Sequence, residues 1–135
     1  MAKAATIALG IAGLFAVYFP AALWLKYSYE PPKGPPGSVR QFIYFQEFGG
    51  HGFMSYAQSL HDLADEPGAP ERSPIIIYED GKPLGPAHTI HADIAALGHG
   101  RFSHWGKLVI FSTSDNSDPR SNGREYWAGL PLQDR

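Results

Sequence analysis

Residues 4 to 25, AATIALGIAGLFAVYFPAALWL, form a run of 22 residues without a single charge. No other feature restricts what this chain can fold into so strongly. At about 1.5 Å per residue, a helix of that length reaches roughly 33 Å, enough to cross a hydrocarbon core of about 30 Å. Trp24, Tyr27 and Tyr29 stand at its C-terminal end, where amphipathic rings favour the headgroup layer. Pro20 lacks a backbone donor and is expected to kink or end the regular helix between residues 16 and 20. A cleaved signal peptide is the rival reading. Its apolar core is usually about 7–15 residues and ends in a small-x-small cleavage site. The run here is longer and leads into Leu23-Trp24-Leu25-Lys26-Tyr27, so an uncleaved anchor fits better.

Ala4, Ala8, Ala12 and Ala16 recur every fourth residue, with Gly13 beside them. On a helix they make one smooth stripe. Lipid tails do not push helices together, so small residues that admit close backbone approach are the usual packing device. The stripe reads as a docking face for another transmembrane subunit; ordinary alanine richness gives the same spacing. Orientation rests on few charges. Lys3 lies before the span, and Lys26, Lys33 and Arg40 follow it. The excess on the C-terminal side favours a cytoplasmic head, whereas a very short N-terminal tail argues the other way.

The remaining composition describes a different kind of polymer. All 13 acidic residues and nine of the 11 basic ones lie beyond position 26, which leaves that portion at −4. There is no cysteine, so thiol catalysis, thiolate metal sites and disulfides are excluded. A net-negative head with scattered basic residues disfavours nucleic acid as a partner. Residues 30 to 38 hold four prolines in nine positions and read as an extended spacer. The expected division is an anchor with its interfacial flank over 1–29, a linker over 30–37 and a soluble head over 38–135.

Within the head, residues 39–45 alternate as a strand does. Phe53, Tyr56, Leu60 and Leu63 fall at helical spacing, which predicts a helix over 53–64. Residues 74–78, PIIIY, give the strongest strand signal, and Asp80-Gly81 after them is a hairpin turn signal. Residues 92–97 predict a short helix ended by Gly98. Residues 102–105 and 107–112 read as strands joined at Gly106, and 125–127 as a last strand. The fold class expected is a single transmembrane helix plus a small, mainly-β (α+β) head. The head would be an antiparallel sheet or sandwich with one or two short helices.

The most unusual stretch is the polar loop 114–124, SDNSDPRSNGR. Asp115, Asn116, Asp118, Arg120 and Asn122 offer oxygens and amides for a ligand, and Trp105 offers a ring on which a sugar would stack. A hairpin connection whose Asp and Asn side chains cap their own backbone, with Asn122-Gly123 in left-handed conformations, explains the same composition. The loop lacks the spacing of an EF-hand. His88, His91 and Asp93 lie close in sequence and are the candidate metal ligands, although His88-Thr-Ile-His91 is not a recognised ligand spacing. No Gly-x-Ser-x-Gly elbow, phosphate-binding glycine loop or His-Glu-x-x-His helix occurs. Gly49-Gly50-His51-Gly52 reads as a flexible turn. A non-enzymatic chain without a cofactor is expected.

The series IYEDGKPLGPAH (77–88), HADI (91–94), GRFSHW (100–105) and FSTSDNSDPRSNGREY (111–126) resembles a small bacterial domain associated with sugar-modifying enzymes such as methyltransferases and glycosyltransferases. The resemblance covers residues 74–127. It implies an accessory β-rich module that touches carbohydrate, and it carries over no catalytic residue. Two functions follow as expectations. One is a single-span accessory subunit of a complex in a bacterial inner membrane. The other is a membrane-tethered carbohydrate-binding module.

Overall fold

In the computed structural model, which describes residues 1–133, the chain divides into two units, Met1–Lys33 and the residues from Gly34 onward. The first is one α-helix, α1 (Ala2–Ser28), long and apolar enough to span a membrane, with none of its residues buried. A signal sequence has the same properties. The expected break at Pro20 is not seen, and the helix continues through it to Ser28. One missing donor costs a single hydrogen bond. Unwinding the following turns in an apolar medium would cost several.

The second unit contains eight strands, β1 (Ser38–Phe42), β2 (Gln46–Gly49), β3 (Gly52–Tyr56), β4 (Ile76–Glu79), β5 (Lys82–Pro83), β6 (Phe102–Trp105), β7 (Leu108–Phe111) and β8 (Tyr126–Gly129). A 3-10 helix, Gln58–Leu63, follows β3, and the α-helix α2 (His91–Leu97) precedes β6. Two antiparallel four-stranded sheets result, ordered β1-β8-β4-β5 and β2-β3-β7-β6. The expected class, a long apolar helix followed by a mainly-β α+β head, is therefore the observed one.

Turn chemistry accounts for the hairpins. Asp80 and Gly81 take φ of 47° and 78° between β4 and β5, two positive values in the turn whose twist matches the flanking strands. Gly106, at φ 56°, joins β6 to β7. Gly98 ends α2 at φ 63°, its N–H donating back to the carbonyls of Asp93 and Ile94.

Two expectations fail for one reason. Residues 53–64 are not a helix: 52–56 form β3, and only Gln58–Leu63 is helical, in the tighter 3-10 form. β3 lies beside β7 with Phe53 opposite Phe111 and Ser55 opposite Val109. That pairing, across more than fifty residues of sequence, outweighs local spacing. Likewise the loop after β7 is not a hairpin connection. β7 lies in one sheet and β8 in the other, so the loop crosses between them.

The core fills the space between the sheets. Phe42, Ile77, Tyr126 and Ala128 from one meet Phe53, Phe102, Val109 and Phe111 from the other. Phe111 packs on Phe42 and Tyr126 at centroid distances of 6.5 and 5.4 Å. Each fully buried large apolar side chain contributes roughly 1.5–3 kcal/mol.

Candidate functional site

The crossing loop draws its polar groups inward onto one another. Arg124 reaches Asp115 with both terminal nitrogens, at 2.9 and 2.7 Å, and Glu79 Oε1 at 3.2 Å. Arg120 donates to Asp118 at 2.7 Å and to Glu47 of β2 at 2.6 Å. Asn122 donates to the Tyr126 hydroxyl at 2.7 Å, and that hydroxyl donates to Glu79 at 2.9 Å. Asn116 accepts from the His99 N–H at 2.7 Å, with His99 in a left-handed conformation between Gly98 and Gly100. Of the residues expected to be left-handed, Gly123 is so, at φ 72°, and Asn116 at 63° joins it.

Charge follows this geometry. Hydrogen bonds from Arg124 and Ser117 hold the Asp115 carboxyl far below the usual carboxylate range. Hydrogen bonds from Arg120 lower the Asp118 carboxyl as well. The two guanidiniums are in turn pushed above their usual values by the carboxylates they bond. Burial raises the Tyr126 hydroxyl, so it remains a donor at neutral pH.

Five of the six residues expected to bind a ligand thus sit together, and they chiefly bond one another or neighbouring segments. The sixth, Trp105, is elsewhere. It pairs with Leu108 at the Gly106 end of the β6–β7 hairpin, whereas the loop leaves β7 at Phe111, opposite Phe102. Three residues of strand, roughly 10 Å, separate the two ends. Trp105 therefore offers no stacking surface to this loop. An exposed aromatic beside the loop is Tyr44, which with Ile43 lines a groove of about 410 Å³. Gln41, Phe42 and Phe45 line it as well, with Pro119, Arg120, Arg124 and Glu125 from the loop and its end.

The candidate metal ligands disperse. His88 bonds Asp65 at 2.8 Å, His91 packs edge-on against Phe48 at 5.4 Å, and Asp93 is in the first turn of α2. Among the described residues no three possible ligands gather at one point. The metal reading is withdrawn on that geometry.

A second polar cluster escaped the sequence reading. Asp65, with a fully buried side chain, accepts from the Ser73 N–H at 2.7 Å through Oδ1 and from His88 Nδ1 through Oδ2. Ser73 Oγ meets His104 Nδ1 at 2.7 Å. These are the residue types of a hydrolytic triad in the wrong connection. A triad needs one histidine held by the acid on one nitrogen and by the serine on the other. Here Asp65 holds His88 while Ser73 holds His104, whose Nε2 is buried without a hydrogen bond. The cluster ties residues 65–73 to β6, alongside the bridge of Asp65 to Trp105. No spacing pattern announces it, since 31 positions separate Ser73 from His104.

A scan against family models, a search of curated proteins and a search of solved structures each found no match.

Proposed function

We propose that this chain is a single-span accessory subunit of a larger membrane protein complex, anchored by α1 and packing its β-rich head on the complex. One observation carries the reading. α1 is 27 residues long and apolar enough to span a membrane, and among the described residues none of it is buried, which suits a surface meant for lipid and neighbouring helices. The stripe of Ala4, Ala8, Ala12, Gly13 and Ala16 is the face that admits a close neighbour. The membrane is a bacterial inner membrane, and the head faces the cytoplasm. Lys26, Lys33 and Arg40 against Lys3 support that orientation.

The test is native migration. Purified from its own membranes in mild detergent, the protein is expected to run within a large assembly. Deleting residues 1–29 is expected to release the head from it. Migration alone as a small species sinks the proposal. So does a mature N-terminus beyond residue 29, which makes the segment a cleaved signal.

The groove beside the loop favours a second reading, a tethered carbohydrate-binding module, because it brings exposed Tyr44 next to Arg120 and Arg124. Trp105 no longer belongs to that reading. Asp115→Ala and Tyr44→Ala are expected to weaken glycan binding on an array; no binding by the unaltered protein removes it.

A further inference from the structure

We propose that the loop 66–72 is an acid-released clasp: His104 holds both of its ends to β6 while the ring is neutral, and releases them when the ring takes up a proton.

The loop is exposed from Glu66 to Arg72, apart from a half-buried Ala69. Its own bonds are local. Glu66 and Ala69 exchange backbone hydrogen bonds, and Arg72 pairs with Glu66 at 3.1 Å and donates to the Asp62 carbonyl. The two residues that flank it, Asp65 and Ser73, are buried. Both attach to one residue of β6. The Asp65 N–H donates to the His104 carbonyl at 2.8 Å, and Ser73 Oγ meets His104 Nδ1 at 2.7 Å. Asp65 Oδ1 closes the neck by accepting from the Ser73 N–H at 2.7 Å. A loop with few contacts beyond such a neck opens as a unit once the neck is undone.

The neck contains one proton-sensitive bond. A neutral imidazole carries a hydrogen on one nitrogen only. With that hydrogen on Nδ1, the ring donates to Ser73 Oγ and Nε2 requires no acceptor. Protonation adds a hydrogen at Nε2, which is buried and makes no hydrogen bond. A buried donor without an acceptor is costly, and a charged one more so. Opening the neck brings water to it. Asp65 is the carboxylate that faces the ring, and its Oδ2 is already taken by His88 Nδ1 at 2.8 Å. His61 of the 3-10 helix opposes the charge. Val109 and Ser55, in register with His104 on β7 and β3, are uncharged, and Glu66 and Arg72 pair with each other in the loop. Burial outweighs Asp65 and the Gly106 backbone and lowers the pKa of the closed ring. The closed loop is therefore fully favoured above the ordinary 6.5 and loses ground as pH falls below it, by at most about tenfold per pH unit.

The test is an acid titration of the full chain in detergent micelles, followed by NMR at the His104 ring and the backbone amides. The ring is expected to protonate below its ordinary value, and the Asp65 and Ser73 amides to lose their closed-loop signals at the same midpoint. Their protection against exchange, corrected for the intrinsic effect of pH, should fall severalfold, at most about tenfold, between about pH 7.5 and 5.5. His104→Gln should abolish the transition, and His88→Gln should keep it. Ser73→Ala, which removes the ring's partner and spares the ring, should loosen residues 66–72 already at neutral pH. A ring that protonates while residues 65–73 keep their signals overturns the proposal. So does a transition that survives in His104→Gln, which would belong to His61 or His88. A Ser73→Ala loop held as firmly as in the unaltered chain overturns it too, as does simultaneous loss of the β7 signals, which is global unfolding.

Discussion

Glu79 is 6% exposed, and one of its oxygens, Oε1, serves three donors: the Tyr126 hydroxyl, Arg124 and the Ser114 N–H. A buried carboxylate is tolerated only when it is bonded in this way. Replacing it leaves the Tyr126 hydroxyl and Arg124 facing an empty place, which costs more than the bonds were worth. Glu79→Ala is expected to lose about 3 kcal/mol of stability in urea unfolding. A loss under 1 kcal/mol would show that the crossing loop re-pairs without it. His104 makes the opposite kind of prediction. Burial lowers its pKa below the ordinary 6.5, and the Asp65 carboxylate and the Gly106 carbonyl oppose that only in part, while His61 adds to it. The unfolded chain therefore takes up the proton first. Stability should be complete above pH 6.5 and fall as pH drops below it, by at most about 1.4 kcal/mol per pH unit from this group. His104→Gln should flatten that slope between pH 6.5 and 5 in thermal melts. An unchanged slope would assign the acid sensitivity to another group.

At the scale of elements, α2 is held by contacts too close for a side chain. Gly50 sits at φ 54°, and a methyl group there would collide with the Ala95 backbone. The next residue, His51, donates its N–H to the Ala95 carbonyl at 2.8 Å. Gly50→Ala combines a left-handed conformation with that collision. We expect it to cost about 2–3 kcal/mol and to speed amide exchange in α2 and β2 before the rest of the head. Exchange that rises uniformly would mean that α2 has no separate seat. These seams also show what can be read from residues in order. Asp80-Gly81, Gly98 and Gly106 mark ends and turns because their backbone requirement is local. β3 reads as helix in the sequence because Phe53, Tyr56, Leu60 and Leu63 satisfy a helical period, while its partner β7 lies far along the chain. The crossing loop stood out by composition. That its carboxylates would be occupied by Arg120, Arg124 and Glu47 was not legible, since Glu47 is 73 residues from Arg120. The Asp65, Ser73, His88 and His104 cluster was hidden for the same reason.

For the molecule as a whole, the question is what α1 does beyond holding the head at a membrane. Any sufficiently apolar helix anchors, so deleting it tests anchoring and docking together. Separating them requires a change that leaves the helix apolar and fills the stripe. Ala8→Leu with Ala12→Leu does this. Leucine keeps helix propensity close to that of alanine and increases hydrophobicity, so the double variant should remain in the membrane after alkaline carbonate washing. Its branched side chains would hold a neighbouring helix away from the backbone, where close approach supplies the packing energy. If the stripe docks, the variant's share in the large assembly on native gels should fall about tenfold, which corresponds to about 1.4 kcal/mol. Ile7→Leu, a conservative change off the stripe, should leave that share as it was. A double variant that assembles as well as the unaltered chain would reduce the alanine spacing to composition. The head would then carry the association alone.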